Sequence, residues 1–115
     1  MGSGDDGWIE VLAASDLPEG KPVKGRADGV DLLLFLQGER IYAVTNRCTH
    51  QGAPLHRGIV RRVGQEPVAT CPIHGSQFRL SDGAVVRGPA GAPVVAYEAR
   101  LDGEMVEVRP LSPSG

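Results

Sequence analysis

Aromatic side chains are scarce, with one Trp, two Tyr and two Phe in 115 residues. None is interleaved with the basic residues, and that pattern argues against nucleic acid as a partner. Long apolar runs are missing too. The longest, Leu32 to Leu36, has the length of a strand and falls far short of the roughly 18 residues needed to cross a bilayer. No membrane span is expected. The first residues, Met1 to Gly7, have neither the basic start nor the apolar stretch of a secretory leader. Cysteine is limited to Cys48 and Cys71, so a disulfide framework is out of reach and a reducing, cytoplasmic setting is expected. A single staple between the two is the alternative that a small secreted domain would use. No internal repeat is evident.

Glycine and proline are plentiful, at 16 and 9 residues. That is too many for long helices, yet below the level that argues for disorder. The apolar residues are mostly Val, Leu, Ile and Ala, which favours many short strands. Strands are predicted over Trp8–Leu12, Val23–Ala27, Val30–Leu36, Arg40–Val44, Ile59–Val63, Val68–Thr70, Gln77–Leu80, Ala84–Arg87, Val94–Arg100 and Met105–Arg109. Asp-Gly pairs at 28–29, 82–83 and 102–103 lie between such runs and read as hairpin turns. Gly64 to Pro67 reads as the tip of a further hairpin. Ser15 to Gly20 reads as a helical turn or a loop. The expectation is one all-β, antiparallel domain over residues 8–109, with residues 1–7 and 110–115 as flexible ends.

Against this background two short signatures stand out. Cys48-Thr49-His50 and Cys71-Pro72-Ile73-His74 use both cysteines and two of the three histidines of the chain. Each arm offers one thiolate and one imidazole, so a fold that brings the arms face to face builds a metal site from two loops. Structural zinc accepts two cysteines and two histidines, but zinc fingers usually keep the cysteines on one element and the histidines on another. Here each arm is mixed. A [2Fe-2S] unit with both cysteines on one iron and both histidines on the other requires that mixing.

At these residues the chain resembles the Rieske iron-sulfur proteins, most closely the small Rieske ferredoxins. The resemblance rests on Cys48-Thr49-His50-Gln51-Gly52-Ala53-Pro54-Leu55, on Cys71-Pro72-Ile73-His74-Gly75-Ser76-Gln77-Phe78, and on Gly88-Pro89-Ala90-Gly91-Ala92-Pro93, which is similar to the loop that covers the cluster. It spans about residues 8–109. It implies a β-sandwich or barrel with a small cluster-binding subdomain, about residues 45–93, and one [2Fe-2S] cluster. Cys48, His50, Cys71 and His74 are the implied ligands. Ser76 would donate to a sulfide, and Pro89 would keep water off the cluster without offering a hydrogen bond. His56 has no ligand counterpart and reads as a surface loop residue; Trp8 reads as cover for one edge. Twenty residues separate His50 from Cys71, a few more than is usual for such ferredoxins.

The departures from the respiratory Rieske type bear on potential. Two ferric ions, two sulfides and two thiolates sum to zero charge, so reduction is easier than with four thiolates, and the class range is roughly −150 to +300 mV. The respiratory type also carries a disulfide between its loops, where this chain has Ala53 and Ile73, and a tyrosine donor, where it has Phe78. Fewer donors to sulfur place the expected potential in the lower part of that range.

The resemblance implies a one-electron carrier rather than an enzyme. It would accept from a flavin-dependent or ferredoxin reductase and deliver to a terminal oxygenase, of the aromatic-ring-hydroxylating kind. His56 alone cannot complete a 2-His-1-carboxylate iron site. A small subunit of a larger reductase or oxidase, such as a nitrite reductase or an arsenite oxidase, is the alternative role, and a zinc module is the alternative chemistry. Residues 40–87 hold seven basic and two acidic side chains although the whole chain has net charge −2. Arg47, Arg57, Arg61 and Arg62 could therefore favour the reduced cluster or steer an acidic partner; the alternative, solvated strand and loop residues, is preferred for Arg61 and Arg62.

Overall fold

Four successive buried residues, Leu32 to Phe35, sort the chain into two layers. Leu33 and Phe35 face one core, with Tyr42 and Val44 beside them; Leu32 and Leu34 face the other, with Ala43, Val106 and Val108. An uninterrupted apolar run is what period-2 geometry demands of a strand covered on both faces.

The computed structural model describes residues 7–49, 52–73, 75–88 and 91–110. Its strands are β1 (Ile9–Ala13), β2 (Val23–Ala27), β3 (Val30–Gln37), β4 (Arg40–Thr45), β5 (Ile59–Val63), β6 (Glu66–Thr70), β7 (Gln77–Arg79), β8 (Val85–Arg87), β9 (Ala96–Asp102) and β10 (Met105–Pro110). All pairings between them are antiparallel. A six-stranded sheet runs β1-β10-β9-β4-β3-β2 and a four-stranded sheet runs β5-β6-β7-β8. Short 3-10 turns cover Ala14–Asp16 and Leu55–Arg57. The all-β expectation holds, and every predicted strand is present with small shifts at its ends. Among the described residues no helix is long and apolar enough to cross a membrane.

The six-stranded sheet curls until its edges meet, giving a nearly closed barrel. Gly25 of β2 is the point of closest approach: a Cβ there would lie 2.5 Å from Val11 Cγ1 on β1 and 2.7 Å from Leu34 Cδ1. Trp8 pins the other side of β1. Its ring lies between the guanidinium groups of Arg100 and Arg109, 4.1 and 4.5 Å from its centroid. These arginines also pair with Glu107 and Glu98, at 2.8 and 3.2 Å. Trp8 thus packs on side chains of β10 and β9, beside the end strand β1.

Three turns depart from expectation. Gly64 and Gln65 alone join β5 to β6, because Val63 pairs with Glu66 and Arg62 with Pro67; Glu66 and Pro67 are strand residues, not a tip. The pair Asp82-Gly83 does lie in the hairpin between antiparallel β7 and β8, though not as a two-residue turn. Asp82 accepts from Arg79 Nε at 3.0 Å and from the Ala84 N–H at 3.0 Å, organising a longer connection between β7 and β8. That carboxyl is held below its usual range, first by the Arg79 hydrogen bond. Finally, β9 starts at Ala96 because the preceding N–H groups turn away: Val94 donates to Gly83 O at 3.0 Å and Val95 to Thr45 Oγ1 at 3.2 Å.

Replacing Gly25 by Val should overpack the barrel seam. The expected loss is about 1–3 kcal/mol, read as a lower urea midpoint with an unchanged slope; wild-type stability in this variant would refute the closure.

Candidate metal centre

Both signature cysteines are buried, at 1% and 2% exposure, and belong to the core that also holds Phe78, Leu55 and Ala69. They form no disulfide. Each opens a loop closed by the same two hydrogen bonds. In the first loop the Cys48 N–H donates to Ala53 O at 2.8 Å, and the Gly52 N–H donates to Cys48 O at 2.7 Å. In the second the Cys71 N–H donates to Ser76 O at 2.8 Å, and the Gly75 N–H donates to Cys71 O at 3.2 Å. The closing glycines have φ of 75° and 77°, in the left-handed region that favours glycine. So the loops opened by Cys48 and Cys71 are closed by the same pair of hydrogen bonds and a glycine of the same conformation.

The loops are also packed together. A Cβ on Gly58, at the end of the 3-10 turn following the first loop, would collide with the Thr70 carbonyl just before Cys71. The third stretch touches both loops. Thr49 Oγ1 donates to Ala92 O at 2.6 Å, and a Cβ on Gly88 would lie 2.5 Å from Ser76 Cα. The three segments expected to surround a cluster therefore converge on one end of the molecule. Ser76 and Phe78 are fully buried there, Ala53 is buried, and Ile73 is exposed. His50, His74 and Pro89 lie outside the described residues. Two buried thiols on paired, matching loops fit a thiolate-held iron-sulfur unit, since soft sulfur ligands shielded from water suit such a group.

Asn46 escaped notice in the sequence. It is buried, and its side chain closes the base of the first loop onto His56. Its Oδ1 accepts the His56 backbone N–H at 2.7 Å, which leaves its Nδ2 to donate to His56 Nδ1 at 2.8 Å. The imidazole is then neutral, with its proton on Nε2. Its pKa is lowered by burial first, then by Arg57 and Lys24, with Asp31 opposing. His56 is therefore a partly buried structural residue, not a plain surface one. Only an Asn two positions before a ligand-loop cysteine could have hinted at this, through its readiness to bond nearby backbone.

A model of the Rieske [2Fe-2S] domain matches residues 7–98. The chain belongs to this family. Rieske domains bind one [2Fe-2S] cluster with two cysteine and two histidine ligands. The chain is 29% identical over 101 residues to the ferredoxin component of the naphthalene 1,2-dioxygenase system of Pseudomonas aeruginosa, covering 88% of this chain and 93% of that one. Among solved structures, the ferredoxin of carbazole 1,9a-dioxygenase from Nocardioides aromaticivorans matches with TM-score 0.81 and 30% identity, over 91% of this Rieske chain and 99% of the other. A Mycobacterium tuberculosis protein assigned as the small subunit of an NADH-dependent nitrite reductase matches with TM-score 0.79 and 27% identity, over 92% and 96%.

The lowered His56 pKa fixes a sign for acid sensitivity. The unfolded chain takes up this proton near the ordinary value of 6.5, before the folded Rieske domain does. This contribution to stability is thus complete above that value and is lost as pH falls toward the folded pKa. Asn46→Ala should cost about 1–3 kcal/mol and flatten this part of the profile; urea midpoints between pH 5 and 8 with an unchanged slope would count against the neutral imidazole.

Proposed function

We propose that this Rieske protein is a one-electron carrier that accepts from a flavin-dependent or ferredoxin reductase and delivers to a terminal oxygenase of the aromatic-ring-hydroxylating kind, in the cytoplasm. The observation that carries this reading is the end-to-end match to a stand-alone dioxygenase ferredoxin. In this reading residues 8–109 form the cluster domain, Cys48 and Cys71 ligate one iron, and His50 and His74 ligate the other. When bound, the cluster takes up and returns one electron.

The chain's own residues set the surroundings. Cys48 and Cys71 sit in an apolar core with Leu55, Ala69 and Phe78, which keeps water from the sulfur side. Ser76, fully buried beside Cys71, is the proposed hydroxyl donor, and Phe78 contributes bulk but no donor. Thr49 holds the covering stretch through Ala92, and Pro89 is the proposed lid residue of that stretch. Among the described residues no cluster of His, Cys, Asp and Glu offers a second metal site.

A second reading, a small subunit bound to a larger reductase, draws support from the nitrite reductase likeness. Co-purification with a large subunit would favour it; a monodisperse protein that reduces an oxygenase in single turnover supports the carrier.

Metal analysis tests the cofactor. About two irons and two acid-labile sulfides per chain are expected, and zinc without visible absorption would end the Rieske assignment for this chain. His74→Cys should move the potential markedly negative or lose the cluster; an unchanged potential with the cluster intact refutes His74 as a ligand. Phe78→Tyr should raise the potential, because a hydroxyl donated to sulfur favours the more negative reduced state. Voltammetry showing no rise, in a variant whose structure contains that bond, would sink the missing-donor explanation.

A further inference from the structure

A cleft of about 1020 Å³ lies between the first ligand loop, the turn end of the β2–β3 hairpin and the segment Pro93–Val95, and Cys48 is among its lining residues. Three cations border it: Lys24 from β2, and Arg47 and Arg57 from either side of the first loop. Arg47 is held against the loop, since a Cβ on Gly52 would come within 3.3 Å of its Nε.

Four arginines outside this cleft, Arg26, Arg79, Arg100 and Arg109, are each neutralised by a carboxylate partner. Lys24, Arg47 and Arg57 have none among the described residues, and the one carboxylate in the cleft, Asp31, is engaged by Arg26 at 3.5 Å. Lys21, Arg40, Arg61, Arg62 and Arg87 have no carboxylate partner among the described residues either, but they stand exposed and border no part of this cleft. Unpaired like charges along a concave wall repel one another and focus a positive potential into it, which an anionic occupant relieves. A single small anion needs donors converging on one point. Here the cations come from different elements around an open space far larger than one carboxylate or phosphate, as suits an extended acidic segment.

We propose that this cleft docks an acidic segment of the protein that receives the electron, with Lys24, Arg47 and Arg57 as its counter-charges. This rests on the carrier reading and adds a defined contact surface on the Cys48 side of the centre. Docking there brings the partner against the first ligand loop, and the cations set association more than the potential.

The test uses the cluster-loaded full chain and a labelled peptide of ten glutamates, followed by fluorescence anisotropy at low ionic strength. Lys24→Gln/Arg47→Gln/Arg57→Gln should bind at least about tenfold more weakly than wild type. The charge-matched control Arg61→Gln/Arg62→Gln/Arg87→Gln should keep most of the affinity, and both variants should keep the visible spectrum of the cluster. In single-turnover reduction of an oxygenase, the first variant should also slow delivery and flatten its dependence on salt. Equal weakening in both variants, no binding by wild type, or displacement of the peptide by inorganic phosphate at matched charge would overturn the proposal, the last in favour of a small-anion site. A chain without a reducible cluster fails the carrier reading instead. An intact carrier indifferent to the three cleft substitutions overturns the cleft alone.

Discussion

Burial of β3 and β4 on both faces is the constraint on which the rest of the molecule depends. Each large apolar side chain withdrawn from water there is worth about 1.5–3 kcal/mol, and the residues alternate between the barrel interior and the core beneath the ligand loops. This carries a hazard. In a strand with one wet face, a slip of one residue exposes the apolar set and is rejected. With apolar residues on both faces, a slip would merely exchange them. Register has to come from elsewhere, and the two-residue turns Asp28-Gly29 and Gly38-Glu39 at the ends of β3 supply it. Asp28 and Gly29 both adopt positive φ, at 52° and 81°, the geometry of a turn whose twist suits a tight hairpin.

The same alternation places the metal centre. Leu33 and Val44 put an apolar floor under Cys48, Cys71 and Phe78, so the loops rest on a layer already fixed by the barrel. A loop on such a floor needs little of its own: one cysteine turned inward, one glycine able to reverse the chain four residues later, and two backbone hydrogen bonds. Economy of this kind explains why the loops differ inside yet close alike. The same floor also brings Cys48 and Cys71, 23 positions apart in the sequence, into one core.

What the sequence hid follows a physical rule. Strands such as Val23–Ala27 and Ile59–Val63 were legible because their signal is local, carried by composition and bounded by turn residues. The base of the site was not. Asn46 meets His56 across a loop, Thr49 meets Ala92 across 43 positions, Val94 donates to Gly83 O, and Val95 donates to the Thr45 hydroxyl. A polar side chain that serves a distant backbone group has no periodicity to betray it. Asp82-Gly83 marked the β7–β8 hairpin but not its length, which depends on the Asp82 carboxylate binding Arg79 and the Ala84 N–H.

The distribution of charge separates two tasks that a carrier has to keep apart. Groups that tune a potential act best where water and salt do not reach, and the proposed donor Ser76, with no exposed surface, is so placed. Groups that bring a partner act from the surface, where salt screens them beyond about 8–10 Å. Were the arginines at the ligand end paired as Arg100 is with Glu107, their field would be spent within the molecule. Without carboxylate partners among the described residues, Arg47 and Arg57 keep that field for an approaching acidic surface. Rate of encounter and driving force can then be altered by different residues, so a change of partner need not disturb the potential on which the transfer runs.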